Sequence, residues 1–270
     1  MLENPRSPRV RAVAKLTKRS ARSETGLYLL EGPQAVREAL TYSPEAIVEL
    51  FATPGGWDKH PDIRAKATDA GVDVEHVTEY VLNAMADTVT PQGLVAVVRQ
   101  TPTAVKDVFD AAPRLVAICE EIRDPGNLGT IIRAADAAGA DAVVLTGNTV
   151  DPYNPKVVRA TTGSLFHLPV SVGADLADVV ERAHAAGLRV LAADVKGDDL
   201  LEARAEGMLA EPTAWLFGNE ARGLEDEALE RADTVLKLPI FGRAESLNLA
   251  TAASVCLYES AFAQRAAALA

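Results

Sequence analysis

Asn127 and Arg133 stand six residues apart, on either side of the start of a helical pattern that follows the apolar run ending near Glu120. An amide and a guanidinium so placed can both face a polar substrate. They also fit a plainer arrangement, with Asn127 capping the helix and Arg133 on its solvated side. Glu220 sits with Arg222 in a short loop bounded by Gly218 and Gly223, directly after the apolar TAWLF. It reads either as a site carboxylate or as ordinary acidic charge at a helix start. Ser246 and Asn248 close a third polar loop, after LPIFGRAE, where Ser246 can serve as a helix cap. In a parallel α/β sheet such loops at strand C-termini are where ligands collect.

Those loops need a sheet to carry them. RLVAICEEI, DAVVLTG, HLPVSV, LRVLAADV, TAWLFG and DTVLKLPI are strand candidates. The helical patterns between them, 128–138, 155–160, 176–186 and 225–231, predict a mostly parallel sheet covered on both faces. An Ala-rich helix over 247–268 closes the chain. Upstream, GLYLLEG, EAIVELFAT, VDVEHV and GLVAVVRQ alternate with helical patterns, including one over 58–70, and read as a smaller α/β unit. The division expected is 1–100 for the first unit, 101–113 for a linker and 114–270 for the second.

Composition narrows the chemistry. The scattered His60, His76, His167 and His184 give no zinc cluster. Cys119 and Cys256 lie singly in apolar runs, as buried reduced thiols do. No apolar run approaches the ~18 residues of a membrane span and no export signal opens the sequence, so the cytoplasm is the expected compartment. The turn at Gly126–Gly129 lacks the full G-x-G-x-x-G of a dinucleotide site, which disfavours an NAD-dependent enzyme. Net charge is −11, yet residues 1–22 hold Arg6, Arg9, Arg11, Lys15, Lys18, Arg19 and Arg22 against Glu3 alone. A basic arm on an acidic body suits phosphate binding, and it suits a solvated helix equally well.

The ordered set is more specific than any member. N-L-G-T-I-I-R, then L-F-G-N-E-A-R-G-L, then L-P-I-F-G-R-A-E-S-L-N-L-A-T-A-A with Tyr258 and Glu259 beyond, resembles the signature motifs of the SpoU (TrmH-like) branch of the SPOUT methyltransferases. KLTKRSARSETGLYLLEGPQAVREAL resembles the family's L30-like RNA-binding extension. The resemblance implies a C-terminal trefoil knot, a homodimer formed through the C-terminal domain, and methyl transfer from S-adenosylmethionine to an RNA ribose 2′-hydroxyl without a metal. It further implies that Gly218, Asn219, Leu238, Ile240 and Leu247 line the cofactor pocket. Asn127, Arg133, Glu220, Ser246 and Asn248 would form the polar active set. Arg9, Arg11, Lys15, Lys18, Arg19 and Arg22 would hold RNA phosphates. A whole N-terminal domain points to large-subunit (23S) ribosomal RNA. A transfer-RNA substrate, or a non-catalytic ribosome-assembly factor on the same fold, are the alternatives. Intact Asn127, Arg133, Glu220 and Asn248 speak against the last.

Overall fold

The computed structural model describes residues 1–269, which form two compact units. The first comprises Met1–Thr101 together with Asp151–His167; the second comprises Pro102–Val150 and Leu168–Ala270.

The first unit opens with α1 (Pro8–Lys15) and α2 (Arg19–Thr25). Ser7 caps α1, its hydroxyl accepting from the Val10 amide, and Pro8 opens the helix. β1 (Leu27–Glu31), α3 (Pro33–Tyr42), β2 (Ile47–Ala52), α4 (Pro54–Lys59), α5 (Pro61–Asp69), β3 (Val74–His76), α6 (Glu79–Met85) and β4 (Leu94–Arg99) follow. The single helix expected over 58–70 is instead α4 and α5. Pro61 drives the preceding His60 out of the helical region, to φ −126° and ψ 68°. The sheet order is β1-β4-β2-β3, with β2 and β3 parallel and the other pairs antiparallel. Residues 151–167 return to this unit from far along the chain. Tyr153 and Val158 join the core of Leu30, Val36 and Leu50, and Tyr153 packs its ring 4.9 Å from that of Tyr28. Arg159 pairs with Glu31 and Asp87, at 3.3 and 2.9 Å.

The second unit starts with α7 (Val105–Asp110), in the stretch expected as a linker, and continues with β5 (Leu115–Glu120), α8 (Pro125–Ala138) and β6 (Ala142–Thr146). After α9 (Pro155–Thr161) in the first unit come β7 (Val170–Ala174), α10 (Leu176–Ala185), β8 (Arg189–Asp199), α11 (Leu200–Ala205), β9 (Thr213–Phe217), α12 (Asp226–Glu230), β10 (Thr234–Lys237) and α13 (Leu249–Leu269). Its six strands are all parallel, in the order β10-β8-β9-β5-β6-β7. β6 and β9 are buried along their whole length, as strands covered on both faces must be. The chain moves outward from β5 to β7 and then returns on the other side, so β9 lies beside β5 with Phe217 opposite Cys119. That reversal is a switch point, and it brings the loops after β5 and β9 together. Both cysteines are buried, and burial pushes their thiols up.

Two polar pins fix α13 on the sheet. The Trp215 indole donates to the Ser260 hydroxyl at 2.9 Å. The Gln264 amide donates to the carbonyls of Arg114 and Glu211. Each such buried bond contributes on the order of 1 kcal/mol, and truncating one partner costs more. Their structural effect is to set where the first turn of α13, and therefore Asn248, must lie.

Candidate active site at the strand ends

The loop after β5 runs into α8 earlier than the sequence pattern suggested. Asp124 is the cap, its carboxylate accepting from the Asn127 amide at 2.8 Å, with Pro125 as the first helical residue. Asn127 is therefore inside the first turn with its side chain free for other work. At ~100° per residue, six residues place Arg133 about 120° around the helix from Asn127 and ~9 Å along it. The two side chains thus do not share one face of α8. Arg133 is exposed and makes no ion pair among the described residues.

Glu220 joins that loop to the one after β9. Its carboxylate accepts from the backbone amides of Arg123 and Asp124, at 3.1 and 2.9 Å, and from the Asn127 side-chain amide at 3.3 Å. The Asn127 carbonyl oxygen accepts in turn from the Asn248 amide at 2.9 Å. Asn248 is itself the cap of α13, accepting from the amides of Ala250 and Thr251. One unbroken chain of hydrogen bonds, Glu220–Asn127–Asn248, therefore links three strand-end loops that are far apart in sequence. Ser246, the expected cap, is exposed two residues before the actual one.

The loop after β9 is braced by its own residues. The Asn219 oxygen accepts from the amides of Ala221 and Arg222, and its nitrogen donates to the Glu121 carbonyl at 2.8 Å. Asn219 and Gly223 exchange backbone bonds. Gly218 departs from the expected role. A Cβ there would meet the Gly223 carbonyl carbon and oxygen at 2.6 Å, and Gly218 is absent from the cavity wall. Its missing side chain makes room for the chain's own backbone rather than for a ligand.

Beside this network lies a cavity of about 600 Å³. Its walls are Asn219–Leu224, Leu236–Ile240, Glu245–Leu247, Leu249, Ala252 and Ala193–Lys196. Of the expected cofactor residues, Asn219, Leu238, Ile240 and Leu247 line it, and Glu220 and Ser246 of the polar set do so too. Asn127, Arg133 and Asn248 stand outside it. The volume is that of a small-molecule site. Apolar side chains of Leu236, Leu238, Pro239, Ile240 and Leu247 suit a flat heterocycle, and the carboxylates of Asp194, Glu220 and Glu245 suit an ammonium. That mixture fits an adenosyl sulfonium carrying an amino acid.

Residues 193–196 were missed from the sequence. β10 pairs with β8 at Val235–Ala192 and then skips to Leu236–Asp198. The intervening residues bulge out and form a wall of the cavity. Gly197 permits the bulge, since a Cβ there would collide with the Val235 carbonyl. The available signal was a polar DVKGDD directly after an apolar strand.

Two carboxylates at the end of β5 are perturbed in opposite directions. Burial raises the Glu120 carboxyl, reinforced by nearby acids, and its Oε2 has no hydrogen-bond partner among the described residues. Burial also pushes the Glu121 carboxyl up, but Arg123 and Arg222 outweigh it and hold it below the usual carboxylate range. Glu121 adopts a left-handed φ of 52°, a strained conformation for a residue with a side chain.

In the first unit the basic arm divides. Arg22 departs from the expected phosphate-binding role, because it is 1 % exposed, pairs with Asp151 at 2.7 Å and donates to the carbonyls of Leu16 and Thr17. Arg9 is paired with Glu49 and Glu75 and lies over the Phe51 ring, 5.1 Å from its centroid. Arg11, Lys15, Lys18 and Arg19 are exposed.

Residues 114–258 match the SpoU rRNA Methylase family, and residues 29–104 match the RNA 2′-O ribose methyltransferase substrate binding family. The arm before Leu29 lies outside both matches. A Bacillus subtilis protein, 23S rRNA (guanosine(2553)-2′-O)-methyltransferase RlmP, is 34 % identical over 95 % of this chain and 97 % of its own. An AdoMet-bound rRNA methyltransferase structure from Sinorhizobium meliloti is 32 % identical, with a TM-score of 0.81 over 96 % of both chains. The SpoU methyltransferase AviRb from Streptomyces viridochromogenes, also with AdoMet, is 28 % identical with a TM-score of 0.81 over 97 % of this chain and 100 % of its own. With its three motifs joined by one hydrogen-bond chain beside a cofactor-sized cavity, this protein belongs to the SpoU rRNA methylase family.

Proposed function

We propose that this protein transfers the methyl group of S-adenosylmethionine to a ribose 2′-hydroxyl of large-subunit (23S) ribosomal RNA. The observation that carries the reading is the Glu220–Asn127–Asn248 chain, which fixes three loops around one cavity. When bound there, the sulfonium cofactor supplies an already activated methyl group. The chain's own residues then have to orient the ribose and manage one hydroxyl proton. Arg133 steadies the hydroxyl oxygen as its proton passes to solvent water and the methyl group passes from sulfur to that oxygen, and it grips the neighbouring phosphate. It stays protonated throughout, because a guanidinium resists deprotonation in proteins. Asn127 and Asn248 orient the RNA side, and Glu220 fixes Asn127 against the cavity wall. Leu238, Ile240 and Leu247, with the backbone of the loop after β9, enclose the cofactor.

The first unit, residues 1–101 with 151–167, selects the RNA and the second catalyses, the stretch expected as a linker (101–113) supplying α7 to the second. Arg11, Lys15, Lys18 and Arg19 are the phosphate contacts, since they are exposed and Arg22 is not. The catalytic half acts as a homodimer. Support comes from the apolar Val255 and Phe262, 38 % and 54 % exposed on α13. The resemblance to the family also leads us to propose a trefoil knot at the C-terminal end of the second unit. No described helix is long and apolar enough to cross a membrane, and we place the protein in the cytoplasm. Calorimetry with S-adenosylmethionine against NAD tests the cofactor. Binding of the former alone is expected, and binding of NAD alone would overturn the reading.

A further inference from the structure

Glu121 belongs to none of the recognised motif positions, yet its backbone and its side chain are both held within the site. Its backbone sits at a φ of 52°, where glycine is at ease and glutamate is not. Five contacts hold it there. Its amide donates to the Thr146 carbonyl and its carbonyl accepts from Asn219. Its carboxylate pairs with Arg222 at 2.6 Å and, more loosely, with Arg123 at 3.5 Å. Its Cγ lies against Gly147, where a Cβ would come within 2.9 Å of it. Strain that persists under so many contacts is a feature of functional sites.

The contacts form a reciprocal clamp. Glu121, from the loop after β5, holds Asn219 and Arg222 of the loop after β9. Glu220 of that second loop holds the amides of Arg123 and Asp124 in the first. Asn219, Glu220 and Arg222 are also wall residues of the cofactor-sized cavity. Releasing Glu121 would free one side of the clamp, letting the wall and Glu220 drift relative to Asn127.

We propose that Glu121 is a positioning residue, whose turned backbone and carboxylate keep the cavity wall and the Asn127 side of the site in register. This rests on the proposed methyl transfer. It accounts for a glutamate where local backbone preference favours glycine: the side chain is retained because it sets the geometry of the site, not because it stabilises the fold.

The test is a pair of variants, Glu121→Gly and Glu121→Gln, each examined for thermal stability, cofactor affinity by calorimetry, and steady-state transfer to RNA. Glu121→Gly removes both strain and clamp, and its melting temperature should stay within about 2 °C of wild type or rise. Its Kd for S-adenosylmethionine should rise about five-fold and its kcat should fall about ten-fold, the size of losing a charged hydrogen bond. Glu121→Gln keeps the backbone and weakens the ion pair, so its Kd should rise about two- to three-fold with no change in melting temperature. If Glu121→Gly binds and turns over as wild type does, or if its losses accompany a melting temperature lowered by many degrees, the proposal is overturned. A wild-type protein that binds no S-adenosylmethionine would instead sink the proposed function. The two failures are therefore distinguishable.

Discussion

The loops after β9 and β10 line the same cavity by opposite means. In the first, Asn219 satisfies two amides of its own turn and reaches Glu121, while Glu220 grips the loop after β5. In the second, Ile240 through Asn248 are all exposed, Phe241 at 88 %, and its firm anchorage is Asn248 at the start of α13. One wall is built by the chain itself. The other loop offers Ile240 and Leu247 on the cavity and Phe241 beside it to whatever covers them, which in the proposed function is the cofactor and a second copy of the chain.

Arg133 lies outside both walls, which makes it the sharpest probe of the comparison. Arg133→Ala should reduce methyl transfer by about 10²–10³-fold, as loss of a charge-stabilising donor does, and leave cofactor binding untouched. Calorimetry beside a transfer assay checks the split; a matching loss of affinity would place Arg133 in the cavity wall. Glu220→Gln attacks the built wall. Weakening a carboxylate that holds two amides should cost about 1.5–3 kcal/mol, read as a ten- to hundred-fold loss of kcat/KM and a lower melting temperature. Asn248→Ala removes the cap that anchors the open loop to α13 and should cost about 1 kcal/mol of stability by denaturant titration. Phe241→Ala, in that same open loop, should change the stability of the free protein by no more than about 0.5 kcal/mol, read by denaturant titration. A large fall would mean the chain itself already covers Phe241.

Glu120, at the foot of the clamp, gives a prediction in pH. Its folded carboxyl lies above its unfolded value because of burial, so its contribution to stability is present in acid and is lost as pH rises through the folded value. Glu120→Gln should therefore raise the melting temperature slightly at pH 8 and not at pH 4. A gain confined to pH 4 would reverse the sign and the account of its environment.

How much of this the sequence carried depends on the range of the interactions. Strand and helix periodicity gave all ten strands of the described residues, because burial on both faces imposes long apolar runs such as LVAIC and AVVLT. The three polar loops were found because each follows such a run. Residues that act by contact across the chain were harder to read. The side chain of Arg22 looks like its basic neighbours until Asp151, far downstream, is seen to take it. Gly218 reads as room for a ligand until Gly223 fills that room. The bulge at 193–197 depends on how β8 and β10 pair, which no local pattern encodes. Nor did periodicity announce that residues 151–167 pack with the first unit, since α9 looks like any connecting helix.

The central claim is that this constellation methylates a ribose hydroxyl in large-subunit RNA. The direct measurement is transfer of a labelled methyl group from S-adenosylmethionine to total bacterial RNA, followed by alkaline hydrolysis, which cleaves beside a free 2′-hydroxyl and not beside a methylated one. The account predicts label in 23S RNA, retained in alkali-resistant dinucleotides and absent with Arg133→Ala. Label released as mononucleotides, or carried on transfer RNA alone, would contradict it.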